Sequence, residues 1–452
     1  MGDIKERLAA LSPQQRELLE RELRRKGLGS PRPEGADAHA ATRAGVGGPG
    51  ASATAGDGSR AGVYDGREVK FSLFFFSDDG GREGGDKYHL LLESARFADR
   101  HGFCAVWTPE RHSQDFGGLY PNPSVLGAAL AVLTERVGIR AGSVALPLHH
   151  PLRVAEEWAV VDNLSRGRVG VSFASGWHPM DFALAPENFE ARREVMFSHI
   201  EVVRRLWAGE AVGFEGVGGE TPMRALPRPM QKALPVWVTT AGNPQTWLDA
   251  GRIGANVLTA FVRESFAGLA EKIRMYREAR AANGHDPRAG EVAVMLHTFV
   301  GESDAEVKEQ VRGPLREYFR ANLKQLGLRK DYLASRVGDD VAEDVASAAE
   351  GVVESDVESI VSFAFERYFD TRLLCGSAAK CARLVEGLAT AGVDEIACLV
   401  DFGLEAEAVL EGLRHLDALR RLYSRGPAPV EEAAAAACAG SAATLAGGGL
   451  HV

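Results

Sequence analysis

The stretch WTPERHSQDFGG (107–118) places Trp107, Glu110, Arg111, His112 and Asp115 within nine positions, directly after the apolar run FCAV. A histidine beside a carboxylate suits general acid–base work, because the imidazole titrates near neutrality and the carboxylate can orient it. Arg111 adds a cation that stays charged at physiological pH, fit to hold an anion and unfit to act as a base. Three more polar groups follow apolar runs in the same way: His149, His150 and Arg153; Ser175, Trp177, His178 and Asp181; Thr239, Thr240, Gly242 and Asn243. Of these, Trp177, His178 and His150 are candidates to line a substrate pocket. The histidines could instead ligate a metal, but the chain has neither HxH nor HExxH, and an extended backbone sends adjacent His149 and His150 to different sides. No metal is therefore expected.

The last group lies in TTAGNPQTW (239–247), where a strand passes through a small polar turn into a helix. Gly242 lets the backbone approach a ligand closely. The first amides of the helix, with Asn243 and Thr246, offer unpaired N–H groups and the positive end of the helix dipole to a phosphate. An ordinary helix cap uses the same residue types, so the pattern alone leaves both readings open. Ser175 and Gly176 could add donors.

These groups must be positioned by the apolar runs before them. The runs are VKFSLFFFS (69–77), FCAVWT (103–108), GIRAGSVALP (138–147), RVGVSFASG (168–176), PVWVTTAG (235–242), ANVLTAF (255–261), VAVMLHTFV (292–300) and EIACLVDFG (395–403). Amphipathic stretches such as HLLLESARFADRHG (89–102) and PLRVAEEWAVVDNLSRG (151–167) alternate with them. Continuous apolar strands between helices mark a parallel sheet buried on both faces. Eight in about 360 residues favour an α/β fold of the (β/α)8 TIM-barrel type over 63–425, with loop insertions near 177–234 and 301–375. No GxGxxG follows the first strand, which weakens the dinucleotide-binding alternative. In such a barrel the polar groups share the C-terminal rim, where active sites form.

The 452-residue chain is 45% apolar, with 52 basic and 62 acidic residues for a net charge of −10. No basic, aromatic-rich stretch suggests nucleic acid as a partner, and no apolar run suggests secretion or a membrane, so a cytoplasmic protein is expected. Five cysteines without a CxxC pair argue against a disulfide framework and a thiolate zinc site. Residues 1–28 carry two short helical stripes, Ile4, Leu8, Leu11 and then Leu18, Leu19, Leu23, the second led by Ser12, Pro13 and Gln15. Helices this short cannot bury their own stripes, so they are expected to dock on this chain or on another. Residues 29–62 read as a flexible Gly/Ala-rich linker spanning about 30 to 35 Å as a coil, and residues 426–452 as a disordered tail.

Four blocks, FSLFFFS, GFCAVWTPERH, ALPLHHPLRVAEEWAVVDNLSRGRVGVSFASGW and PVWVTTAGNPQTWLDAGRIGANVL, resemble in order and spacing the bacterial luciferase-like flavin monooxygenases. The resemblance runs from about Lys70 to about Leu422 and is greatest to the branch associated with polyketide and nonribosomal peptide assembly lines. It implies a (β/α)8 barrel that takes FMN as FMNH2 from a separate flavin reductase, reacts it with O2 through a flavin C4a-peroxide, and oxygenates a natural-product intermediate. A homodimer is implied too, and residues 1–28 resemble short docking helices at module boundaries, which would engage a carrier protein or assembly-line module. Deazaflavin (F420)-dependent oxidoreductases on the same barrel are the enzymatic alternative. A non-catalytic assembly-line interaction protein is the other.

Carried over by position, the resemblance assigns Thr240, Ala241, Gly242, Asn243 and Thr246 to the FMN phosphate. It sets Phe74 near the flavin ring, Gly142 and Ser143 where relatives have a non-proline cis peptide, and Ala174, Ser175 and Gly176 at the end of the fourth strand. Luciferases carry a cysteine and a phosphate-binding arginine where this chain has Ala174 and Ser175, so some of the phosphate charge is met elsewhere or left uncompensated. Their general base aligns with Arg111. His112 is left as the proton donor or base, oriented by Glu110, with Arg111 stabilising an anion.

Overall fold

A computed structural model describes residues 68–76, 86–114, 117–240, 242–261, 264–327 and 354–424. The expected terminal segments 1–28, 29–62 and 426–452, and Ala241 and Asp115, lie outside the described residues. The strands are β1 (Lys70–Phe74), β2 (Ala105–Thr108), β3 (Gly138–Ala145), β4 (Val169–Ala174), β5 (Val212–Gly216), β6 (Gly219–Met223), β7 (Val236–Thr240), β8 (Asn256–Ala260), β9 (Val292–Gly301), β10 (Leu374–Ser377) and β11 (Glu395–Leu399). Eight of them pair side by side in the order β1, β2, β3, β4, β7, β8, β9, β11, every pair parallel, and β11 returns to β1. The sheet is thus a closed (β/α)8 barrel whose strands are the eight apolar runs of the sequence.

The helices are α1 (His89–His101), α2 (Pro123–Leu133), α3 (Pro151–Ser165), α4 (Arg192–Ala208), α5 (Pro244–Arg252), α6 (Phe266–Ala282), α7 (Asp304–Gly327), α8 (Glu354–Thr371), α9 (Ala378–Ala391) and α10 (Ala406–Arg421). Local sequence sets their ends. Asn122 caps α2 by accepting from the Ser124 and Val125 amides, with Pro123 in the first turn, and α1 stops at Gly102 in the left-handed region (φ 78°). The two-residue period of the strands divides the core: Val292, Val294 and Leu296 of β9 face the helices, whereas Ala293 and Met295 face the barrel interior. The first insertion, 177–234, holds α4 and the antiparallel β5–β6 hairpin, and the described residues of the second hold α7 and α8 and lead into β10, which extends the sheet by pairing with the end of β9.

Toward the N-terminal end the interior is polar. Arg140 Nη1 donates to Glu395 Oε2 at 2.6 Å, and its guanidinium lies 4.4 Å from the Trp237 ring and 4.9 Å from the Trp107 ring. Glu395 Oε1 accepts from Ser72 Oγ (2.5 Å) and Trp107 Nε1 (3.0 Å). Burial opposes the charge on Glu395, but Arg140 and these donors outweigh it and hold its pKa below the usual carboxylate range. Above this floor, Phe74 stacks on Trp107 beneath Gly142, where a Cβ would sit 2.6 Å from Phe74 Cε2.

Replacing Glu395→Gln keeps acceptors for Ser72 and Trp107 but strands the Arg140 charge, so urea titration should show a loss of about 3 to 5 kcal/mol. A double replacement by methionine at 140 and 395 should recover most of it. An unchanged midpoint for Glu395→Gln would mean that the pair does not hold the floor.

Candidate active site

At the opposite end, the loop leaving β2 turns Glu110 inward until its side chain is 1% exposed. Oε1 accepts from His112 Nε2 (2.8 Å) and His149 Nε2 (2.6 Å), and Oε2 accepts from the Ala145 amide at the end of β3 (2.8 Å). An ionised carboxylate only accepts, so both imidazoles carry a proton on Nε2 and present Nδ1 elsewhere. Burial would neutralise Glu110, yet the hydrogen bonds from His112 and His149 and the charge of His149 outweigh it, lowering its pKa. His149 responds in kind: burial disfavours its charged form, but the Glu110 hydrogen bond and charge prevail and raise its pKa. Among the described residues, Glu110, His112 and His149 are a group whose donor atoms come within 4.8 Å of one another, spacing that a metal could also use. The imidazole-to-carboxylate distances are those of hydrogen bonds.

The neighbouring residues divide. A short turn at Leu146–Leu148 sends His149 to Glu110, while His150 is exposed and meets Phe214 of the β5–β6 hairpin at 4.7 Å. Arg111 turns the other way from His112, 3% exposed, donating to Gln114 Oε1 (2.7 Å) and reaching Asp181 Oδ2 at 3.5 Å, with its guanidinium 4.9 Å from the Trp177 ring. Gln114 Nε2 lies 2.8 Å from His178 Nδ1. Arg111, Trp177, His178 and Asp181 thus form one cluster joining the loops after β2 and β4. Burial raises the Asp181 pKa against the pull of Arg111.

Along the rim the Gly142–Ser143 peptide is cis, the geometry that the resemblance implies there. Ser143 Oγ and Ser172 Oγ (2.7 Å) both meet Thr239 Oγ1, a hydroxyl cluster above the aromatic layer. Ala174 ends β4 beside Ala145, Ser175 Oγ reaches the Gly176 carbonyl at 3.4 Å, and Gly176 (φ 69°) packs where a Cβ would strike Phe182.

The β7–α5 corner carries the phosphate candidates. Asn243 caps α5 through the Gln245 amide (2.9 Å), Thr240 accepts from the Gly242 amide at 3.4 Å, and among the described residues Gly242 (φ 106°) has Lys272 Nζ nearest its missing Cβ, at 3.6 Å. Thr246 Oγ1 accepts from Arg193 Nη1 of α4 at 2.7 Å, and Arg193 also pairs with Asp249. Lys272 in turn pairs with Glu264, so the two cations beside this helix N-terminus are each matched by a carboxylate, and what the corner offers a phosphate is backbone and side-chain donors at the positive end of the helix dipole. His149, Thr239, Arg193 and Lys272 belong to this rim although sequence reading did not select them as site residues. His149 and Thr239 were visible in the strand-end groups; Arg193 and Lys272 sit on helices with no local motif.

The sequence profile of the family described as "Luciferase-like monooxygenase" matches residues 69–395. The chain belongs to the luciferase-like monooxygenase family. It is 28% identical over 264 residues to the oxygenase component of flavin-dependent trigonelline monooxygenase from Acinetobacter baylyi, a match covering 57% of this chain and 72% of that protein. The FMN complex of the oxygenating constituent of 3,6-diketocamphane monooxygenase from Pseudomonas putida shares the fold (TM-score 0.58, 19% identity, 80% of this chain and 98% of that one). So does an F420-dependent secondary alcohol dehydrogenase (TM-score 0.54, 17% identity, 79% and 99%). Relatives of this luciferase-like monooxygenase therefore include oxygenase components of two-component systems, which supports an oxidoreductase. No helix among its described residues is long and apolar enough to cross a membrane.

Because the folded pKa of His149 is raised, its attraction to Glu110 stabilises this luciferase-like monooxygenase fully below the ordinary histidine value of 6.5 and fades as the pH rises through the raised value. At the acid end the contribution fades where Glu110 protonates, below the usual glutamate range. Ring resonances of His149 followed by NMR should give a midpoint above 6.5, falling in Glu110→Gln; the same midpoint in both proteins would remove Glu110 from this role.

Proposed function

We propose that the chain is the oxygenase component of a two-component FMN-dependent monooxygenase, taking FMNH2 from a separate flavin reductase and O2 from solution to oxygenate an organic intermediate of natural-product assembly. The observation that carries the reading is the pairing, at one end of the barrel, of a donor-rich helix start flanked by Arg193 and Lys272 with a buried carboxylate that holds two imidazoles. FMN suits these residues: Gly242 leaves its backbone bare, Asn243 and Thr246 begin a helix, and Arg193, which bridges Thr246 and Asp249, would donate to the phosphate in place of the arginine that luciferases have where this chain has Ser175. Phe74, Gly142, Ser143 and Ala174 would border the ring.

Bound FMNH2 supplies two electrons to O2, one oxygen atom going to the substrate and the other to water. His112, its Nε2–H held by Glu110, keeps Nδ1 as the atom that takes or gives a proton in the site. Arg111 fixes the loop of Trp177, His178 and Asp181 over the rim and so helps exclude water. Residues 1–28 would dock a carrier protein or assembly-line module, and the working unit would be a homodimer.

Equilibrium dialysis under nitrogen should retain FMNH2 and not reduced F420, and Arg193→Ala should weaken FMN about tenfold or more while leaving riboflavin unaffected, since only FMN carries the phosphate. On mixing the complex with oxygenated buffer, O2 uptake should run ahead of the return of oxidised-flavin absorbance. Retention of reduced F420 in place of FMNH2 would overturn the reading.

A further inference from the structure

His297 plays no part in the proton chemistry above, yet it stands inside the barrel. On β9 its inward-facing neighbours in the strand are Ala293 and Met295, and it pairs in register with Leu399, which itself pairs with Phe74. It is buried, and its Nε2 has no hydrogen-bond partner among the described residues. Three rings meet it nearly edge-on: Tyr318 at 4.4 Å and Phe319 at 6.3 Å, both from α7 in the 301–375 insertion, and Phe402 at 5.5 Å, just after β11. Burial alone, with no charged side chain contributing, lowers its pKa to about 3, so the imidazole is neutral at every working pH.

A buried nitrogen without a partner is destabilising, and apolar residues of similar volume would fill this position better. Retaining one among aromatic rings, on the catalytic side of the barrel, makes sense when a ligand supplies the missing partner. From this we infer that His297 recognises the substrate, donating or accepting one hydrogen bond with a lone carbonyl or hydroxyl oxygen of an otherwise apolar, uncharged molecule packed against Tyr318, Phe319 and Phe402. A carboxylate is a poor fit, because a neutral imidazole cannot repay the desolvation of an anion. The inference names the substrate class of the site proposed above and rests on that reading.

The probes are cyclohexanone, methylcyclohexane and cyclohexanecarboxylate, added to the full-length protein without flavin; their affinities are read by titration calorimetry in every variant, and in the unsubstituted protein the His297 ring resonances are also followed by NMR. Cyclohexanone should move those resonances and bind about fivefold to tenfold tighter than methylcyclohexane, with the carboxylate weakest. In His297→Leu the ketone preference should fall to about one and the urea midpoint should rise, because an unpaired polar group has gone. His297→Gln should keep part of the preference. A ketone preference that survives His297→Leu, tighter binding of the carboxylate, or ring resonances that ignore cyclohexanone would each overturn the assignment. FMNH2 retention is measured separately, so a failed ketone test with FMNH2 bound removes only His297, whereas loss of FMNH2 binding with the ketone result intact removes only the cofactor.

Discussion

The Glu110 carboxylate is almost wholly withdrawn from water and stays ionised because three donors converge on it, from the loop after β2, the end of β3 and the turn that follows β3. Desolvating an isolated carboxylate costs far more than any single hydrogen bond returns, so the loop after β2 and the end of β3 must stay in register for the group to remain an anion. That constraint orients His112, fixes its tautomer and gives His149 a raised pKa. The same physics works at the floor, where Glu395 survives burial through Arg140, Ser72 and Trp107. Two buried carboxylates thus brace the two ends of the barrel, with an aromatic layer of Phe74 and Trp107 between them.

Around this frame the chain redistributes tasks among residue types. The guanidinium of Arg111, the residue that the resemblance aligns with the luciferase base, is engaged with Gln114, Asp181 and the Trp177 ring, so its charge ties two loops together. At the proposed phosphate corner, where the resemblance sets Ser175 in place of a luciferase arginine, Arg193 approaches α5 from α4.

The barrel was legible because each of its strands is an apolar run, the pattern that burial on both faces imposes. β10, only LCGS, and the exposed β5–β6 hairpin lack that pattern, and both lie inside stretches that read as loops. Within the site, Glu110 and His112 were readable from adjacency. The choice between His149 and His150 was not, because a turn at Leu146–Leu148 decides which ring points inward. Arg193 and Thr246 are 53 positions apart and meet only through helix packing. His297 hides in VAVMLHTFV, where a lone polar residue in an apolar strand gives no sign of whether it finds a partner.

The central claim is that FMN lies on this rim with its phosphate at the start of α5. The most direct measurement is a crystal structure of the protein soaked with FMN. The account predicts the phosphate against Gly242, Asn243, Thr246 and Arg193, and the ring beside the Gly142–Ser143 peptide with Glu110 and His112 on the same side of the barrel. A flavin bound elsewhere, or a phosphate held away from α5 and Arg193, would contradict it.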